Sequence, residues 1–100
     1  MSNIAGFLGI ARKAGKLSMG FDVSAENINL GNAFLVLIAK DCSERTSAEI
    51  IKICNKNNVR FLGLPLTMDE IDYTLGKRSG VMAVCDKNFA EKINTMLLSV

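Results

Sequence analysis

An uninterrupted apolar run at residues 34–39 (FLVLIA) places the strongest constraint on how this chain folds. It lies between Gly31-Asn32 and the polar segment 40–46. The run is too short for a typical helix and shows no alternation of apolar and polar residues, so it predicts a strand that is buried on both faces. A strand of this kind requires helices on both sides of its sheet.

The polar residues that follow this run are the first candidates for a functional site. Lys40, Asp41, Cys42 and Ser43 come directly after the predicted strand. In open α/β sheets, ligands bind at the carboxyl ends of the strands. We therefore expect this segment to take part in whatever the protein binds.

Helical patterns alternate with further apolar runs along the rest of the chain. The predicted helix starts are Ser2 or Asn3, Asp22, a capping box at 46–49, a second capping box at 67–70, and Asp86. The predicted buried stripe of the second helix is Val23, Asn27 and Leu30. Further strands are predicted at 59–64 and 81–85, with a short one near 17–19. This alternation predicts one α/β domain over 1–100, a three-layer α/β/α sandwich.

Composition narrows the class of protein. The chain is 49% hydrophobic, has a net charge of +2, and has no apolar run as long as a membrane span. We expect a soluble protein with no membrane partner. The cysteines at 42, 54 and 85 are odd in number and follow no secretory leader, so we expect free thiols in a reducing cytoplasm.

Catalytic and cofactor chemistry finds little support in the sequence. There is no histidine, no Cys-x-x-Cys pair, and no glycine pattern of a dinucleotide fold or a P-loop. We expect no metal, no cofactor and no enzymatic activity. Cys42 and Cys85 each follow a predicted strand, so each is either a reactive thiol near a helix start or a small buried apolar residue.

Three polar or basic loops are expected to meet at one edge of the sheet. They are 16–22, 40–43 and 77–80. Lysine and arginine side chains beside helix N-termini suit phosphate groups, so this edge is a candidate for binding a nucleic acid backbone. Ordinary solvated surface is the alternative, because scattered surface lysines are common.

The chain also resembles a known family. The resemblance lies in the segments 9–17 (GIARKAGKL), Gly20, 35–43 (LVLIAKDCS), Asn58-Val59, 75–77 (LGK) and 84–90 (VCDKNFA). In order and spacing they are similar to the ribosomal protein L7Ae and L30e superfamily, particularly its small bacterial members. The resemblance implies a mixed four-stranded sheet and a non-enzymatic RNA-binding role, typically on kink-turns.

The sequence departs from this family at the main RNA-contacting segment. The resemblance implies Asn-Glu-x-x-Lys after the glycine that matches Gly20, where this chain has Asp22, Val23 and Glu26. Glu26 would repel phosphates that a lysine attracts. The resemblance also implies an apolar and basic loop before the last strand. Here that loop is Arg78-Ser79-Gly80, which keeps the charge of Arg78 but lacks a bulky apolar side chain.

From these observations we predict a cytoplasmic, ribosome-associated protein that reads the backbone and shape of structured RNA. The predicted RNA-binding residues are Lys16, Gly20, Phe21, Asp22, Ser24, Lys40, Lys77 and Arg78. Gly20 would allow close backbone approach, the turn 22–24 would bind phosphate, and the cations would supply attraction. Phe21 would either stack on a base or pack as a hydrophobic staple.

The predicted partners are structured, ribosomal RNA and ribosomal proteins, and the predicted state is a monomer. The alternative is a protein-interaction module that kept the fold and lost kink-turn binding. Asp22, Val23 and Glu26 favour that alternative, whereas the basic loops oppose it.

Overall fold

A mixed four-stranded sheet lies at the centre of the molecule, flanked by five helices. The computed structural model describes residues 3–98 of the chain. Within that range the elements, in chain order, are α1 (Ile4–Lys13), β1 (Leu17–Met19), α2 (Phe21–Asn29), β2 (Leu35–Ile38), α3 (Glu44–Lys56), β3 (Phe61–Gly63), α4 (Met68–Leu75), β4 (Val81–Val84) and α5 (Lys87–Leu98).

The order of strands across the sheet is β1-β4-β2-β3. β4 pairs antiparallel with both β1 and β2, whereas β2 and β3 are parallel. The strands β1, β2 and β3 therefore point one way and β4 points the other. As a consequence, the carboxyl ends of β1, β2 and β3 lie at the same end of the sheet as the amino end of β4.

Helices cover both faces of the sheet. Leu35 and Leu37 of β2 point into the core formed with α1, α4 and α5. Val36 and Ile38, the alternate residues, point into the core formed with α2 and α3. All residues of β2 and β4 are buried. The predicted three-layer α/β/α sandwich with a mixed four-stranded sheet is confirmed.

The first helix follows its predicted pattern. Asn3 is the N-cap, and its Oδ1 accepts a hydrogen bond from the Gly6 amide at 3.0 Å. The alternative cap, Ser2, lies outside the described residues. From the apolar residues Ile4, Phe7, Leu8 and Ala11 the sequence predicts one buried stripe; Ile4, Leu8 and Ala11 are buried, and Phe7 is half-buried.

The second helix starts earlier than predicted and buries a different face. It begins at Phe21 with Gly20 as N-cap, so Asp22 lies in the first turn and does not cap the helix. Val23 and Leu30 are 48% and 65% exposed, whereas Ser24 and Ile28 are buried. Both faces carry apolar residues at helical spacing, and the entry of the chain from β1 turns the Ser24–Ile28 face to the sheet.

The third helix is capped by Ser43, which corrects the predicted capping box at 46–49. The Ser43 Oγ accepts a hydrogen bond from the Thr46 amide at 3.2 Å. Thr46 therefore donates to the cap from inside the first turn. The fourth helix does have its predicted box: Glu70 N donates to Thr67 Oγ1 at 3.1 Å, and Thr67 N donates to Glu70 Oε1 at 2.9 Å.

The remaining boundaries differ little from expectation. The strand β3 is shorter than the predicted 59–64, and β4 covers most of 81–85. The carboxylate of Asp86 accepts a hydrogen bond from the Phe89 amide at 2.9 Å, which confirms the predicted start of α5. Among residues 3–98, none of the helices has the length and apolar character that crossing a membrane requires.

The three cysteines are free thiols. Cys54 is buried in the core between the sheet and α3, and this burial raises the pKa of its thiol from 9.0 to about 11. Cys54 is therefore a neutral apolar residue at physiological pH. Cys42 and Cys85 are half-buried.

The position of the α3 cap leads to a stability prediction. Replacing Ser43 with Ala should lower the free energy of unfolding by about 1 kcal/mol, because one helix amide loses its acceptor. Urea denaturation measures this change. Thr46→Ala is the matched control and should change stability by less than about 0.5 kcal/mol. A larger loss for Thr46→Ala than for Ser43→Ala would contradict the assigned cap.

Candidate functional site

Three of the predicted loop segments meet at one edge of the sheet, which we call the loop rim and define as residues 20–22, 40–43 and 77–80. Gly20 N donates to Val81 O at 2.9 Å, and Ala39 N donates to Gly80 O at 2.9 Å. These bonds join the end of β1 and the end of β2 to the start of β4. The predicted convergence therefore holds for 40–43, for 77–80 and for the 20–22 part of the predicted loop 16–22.

Lys16 does not belong to the loop rim. It precedes β1, and its carbonyl accepts a hydrogen bond from the Cys85 amide at 2.8 Å, just beyond the last residue of β4. It therefore lies at the opposite end of the sheet. The prediction that Lys16 shares one edge with Lys40 and Lys77 is wrong, because β1 runs between Lys16 and the rim.

Gly20 gives the rim an open backbone at the start of α2. Its φ of 110° lies in a region that favours glycine, and no heavy atom lies within 4 Å of where a Cβ would be. As the N-cap it offers no side chain to the helix amides. The Ser24 amide donates to Gly20 O at 3.1 Å, which leaves the amides of 21–23 without an acceptor inside the helix.

The side chains next to Gly20 differ in how far they reach solvent. Phe21 is half-buried and packs against the core on the α2 side, which favours a packing role over base stacking. Because Gly20 is the N-cap, Phe21 is the first helical residue and does not hold the position before the cap that the predicted staple requires. Ser24 is fully buried. The prediction that Ser24 takes part in binding phosphate is therefore wrong, since its side chain is buried and its amide already donates to Gly20 O. Asp22 is exposed in the first turn.

The loop 40–43 is held in place by bonds to the α4 region. Asp41 Oδ1 accepts a hydrogen bond from the Met68 amide at 2.8 Å, and Lys40 N donates to Leu66 O at 2.8 Å. The neighbouring loop comes very close, because a Cβ at Gly80 would lie 3.0 Å from the Cys42 sulfur. A side chain at position 80 would therefore have to displace Cys42 slightly, and Cys42 acts here as a packing residue.

The charge of the rim is mixed. Arg78 donates to Asp69 Oδ1 in an exposed ion pair at the start of α4. Lys40 and Lys77 are exposed, and neither forms an ion pair among residues 3–98. The rim also includes the exposed carboxylates of Asp22 and Asp41, so it carries both signs of charge.

The part of the chain that the structure describes, residues 3–98, holds no group of three or more His, Cys, Asp or Glu residues placed to bind a metal ion.

Cys85 lies beside Ser18, with 3.8 Å between its sulfur and the Ser18 hydroxyl. Asn27 in turn donates to this hydroxyl at 3.1 Å. These polar contacts join α2 to the edge strand β1.

Residues 2–93 match the model of the Ribosomal protein L7Ae/L30e/S12e/Gadd45 family. The chain belongs to this family. Two curated relatives cover almost its whole length. The RNA-binding protein YlxQ of Bacillus subtilis (strain 168) is 32% identical over 95 residues, which is 90% of both chains. The protein of the same name from Enterococcus faecium is 28% identical over 94 residues, with 90% of this chain and 86% of the relative covered.

Solved structures share the fold at lower sequence identity. A Bacillus halodurans protein of unknown function superposes with a TM-score of 0.88 at 19% identity, covering 97% of this chain and 98% of the other. The Giardia lamblia 15.5kD RNA binding protein superposes with a TM-score of 0.75 at 14% identity, covering 96% and 86%. The arrangement of helices and sheet is therefore that of the L7Ae family.

Gly20 provides a prediction about the backbone of the rim. Gly20→Ala should destabilise the fold by roughly 1–3 kcal/mol, because a Cβ is strained at this φ even though space is open around it. Urea denaturation measures the change. The control is Gly63→Ala, where a Cβ also meets open space but φ is ordinary, and it should change stability by less than about 0.5 kcal/mol. Equal effects would contradict the strain argument.

Proposed function

We propose that this protein binds structured RNA of the kink-turn type through the loop rim, as a cytoplasmic, ribosome-associated and non-enzymatic protein. The observation that carries the proposal is the open N-terminus of α2 at Gly20, which lies beside loop 77–80, with loop 40–43 on the other side of that loop. Family membership and relatives named as RNA-binding proteins over about 90% of this chain support it.

The residues of the rim suit recognition of the backbone and shape of an RNA. They suit binding dominated by many charged contacts less well. The amides of 21–23 at the start of α2 suit a phosphate oxygen, and the helix dipole adds to this attraction. Lys40 and Lys77 can contact further phosphates, whereas Arg78 is engaged with Asp69. A rim with two or three cationic contacts fits a sharply bent RNA better than it fits a long regular duplex.

The direct test is a titration of the protein with a kink-turn RNA at two salt concentrations. For two or three phosphate contacts, affinity should fall roughly 10- to 40-fold between about 50 and 200 mM salt. The control RNA replaces the internal loop with continuous base pairs and should bind more weakly. Equal binding of both RNAs would contradict kink-turn recognition.

Glu26 provides the matched mutational test. It is exposed on α2, one turn beyond the open amides, where it would repel RNA phosphates. Glu26→Lys should strengthen kink-turn affinity by about 1 kcal/mol or more, roughly fivefold or more, since repulsion becomes attraction. Asp72→Lys makes the same change of charge at an exposed position on α4 and should have a smaller effect. Equal gains from both variants would mean that α2 does not face the RNA.

A protein-interaction module of the same fold is the second candidate. It is favoured by the exposure of Asp22, Val23 and Glu26 on one helix and by the carboxylates among the rim cations. A titration with no saturable RNA binding at the lower salt concentration would favour this function over the first.

A further inference from the structure

A cleft lies at the end of the sheet opposite the loop rim; we call it the second cleft because the loop rim is the first candidate site. It has a volume of about 340 Å³, and its polar and aromatic lining consists of Phe34, Arg60, Lys87, Glu91 and Asn94. The Phe34 amide donates to Val84 O at 2.9 Å, and the Val36 amide donates to Arg60 O at 2.9 Å. These backbone bonds place residues 34 and 60 at the starting ends of β2 and β3, beside the end of β4.

Phe34 presents an aromatic surface to this cleft. Its side chain is 48% exposed, although it directly precedes a fully buried strand. The buried residues Leu35 and Ala90 form apolar lining beside it. An exposed ring beside an apolar lining is suited to stacking with a flat heterocycle, and such stacking tolerates any base.

The cations of the cleft are placed to receive an anion. The Arg60 guanidinium donates to Asn94 Oδ1 at 3.0 Å, which orients both side chains. Lys87 is the first residue of α5, so its charge adds to the positive end of the helix dipole. Lys16 lies at the same end of the sheet, next to the end of β4.

The carboxylates at this end restrict the kind of ligand. Asp86 is occupied as the acceptor for the Phe89 amide at 2.9 Å, whereas Glu91 lines the cleft. Glu91 disfavours a simple anion but can accept a hydrogen bond from a base amino group or a ribose hydroxyl. The cleft therefore suits a ligand that combines a phosphate, a flat ring and hydrogen-bond donors. An acidic peptide would leave the Phe34 ring without a stacking partner.

We propose that this cleft binds a nucleotide of single-stranded RNA, with the base against Phe34 and the phosphate at Arg60 and Lys87. The site is separate from the loop rim, and it requires no kink-turn. An RNA that is engaged at the rim would use the cleft through a single-stranded extension passing to the other end of the sheet.

The test uses the full chain and fluorescently labelled decauridine, an RNA without a kink-turn. Phe34→Leu keeps an apolar side chain but removes the stacking surface, and it should weaken binding about tenfold. The double variant Arg60→Gln/Lys87→Gln should lower the slope of log affinity against log salt by about 0.7, for the one phosphate that the two cations neutralise. Urea denaturation verifies that each variant remains folded.

The control variant Lys52→Gln/Lys92→Gln removes two exposed charges from α3 and α5 outside the cleft. It should leave decauridine binding nearly unchanged. Equal losses from both double variants would overturn the proposal, because binding would then depend on total charge alone. Competition by polyglutamate as effective as that by unlabelled decauridine would also overturn it, in favour of an acidic protein partner.

The outcome is independent of the test of the loop rim. If the kink-turn RNA fails to bind but decauridine binding still depends on Phe34, the proposed function fails and the second cleft stands. If kink-turn binding responds to Glu26→Lys while the cleft variants bind decauridine like the unmodified protein, the cleft proposal fails and the rim proposal stands.

Discussion

The burial of β2 and β4 on both faces is the constraint on which the rest of the structure depends. Every residue of these two strands is buried, so helices must pack against each face of the sheet. The alternation of side chains sends Leu35 and Leu37 to one layer and Val36 and Ile38 to the other. Apolar burial of this extent is a dominant stabilising contribution, and it fixes which ends of the strands remain free to carry loops.

The direction of β4 determines where the loops meet. Because β4 runs opposite to its neighbours β1 and β2, its starting end lies beside their carboxyl ends. Loops from three distant parts of the chain then share one edge without any shared sequence motif. The same geometry gathers Phe34, Arg60 and Lys87 at the other edge, so a sheet of this topology has two loop-bearing ends.

Much of the fold could be predicted because apolar runs and capping signals are local in sequence. The run 34–39 and the box at Thr67 were sufficient to place β2 and α4. The buried face of α2 could not be predicted, because two of its faces carry apolar residues, with Val23 on one and Ile28 on the other. Only packing against the sheet decides which face is buried. The Ser43 cap was missed because Thr46 and Glu49 form a capping-box pattern within the helix itself.

The site was less predictable than the fold, because charge depends on which side chains become neighbours. Lys16 is close in sequence to Gly20, yet β1 carries the two to opposite ends of the sheet. Arg78 is basic in the sequence, but in the structure much of its charge is balanced by Asp69. The proposed RNA contact at the rim therefore relies mainly on the backbone amides after Gly20 and on loop shape. Three cations, Arg60, Lys87 and Lys16, and two carboxylates, Asp86 and Glu91, lie at the opposite end of the sheet. If both proposals hold, an RNA held at the rim by shape gains additional electrostatic attraction from the far end of the same sheet.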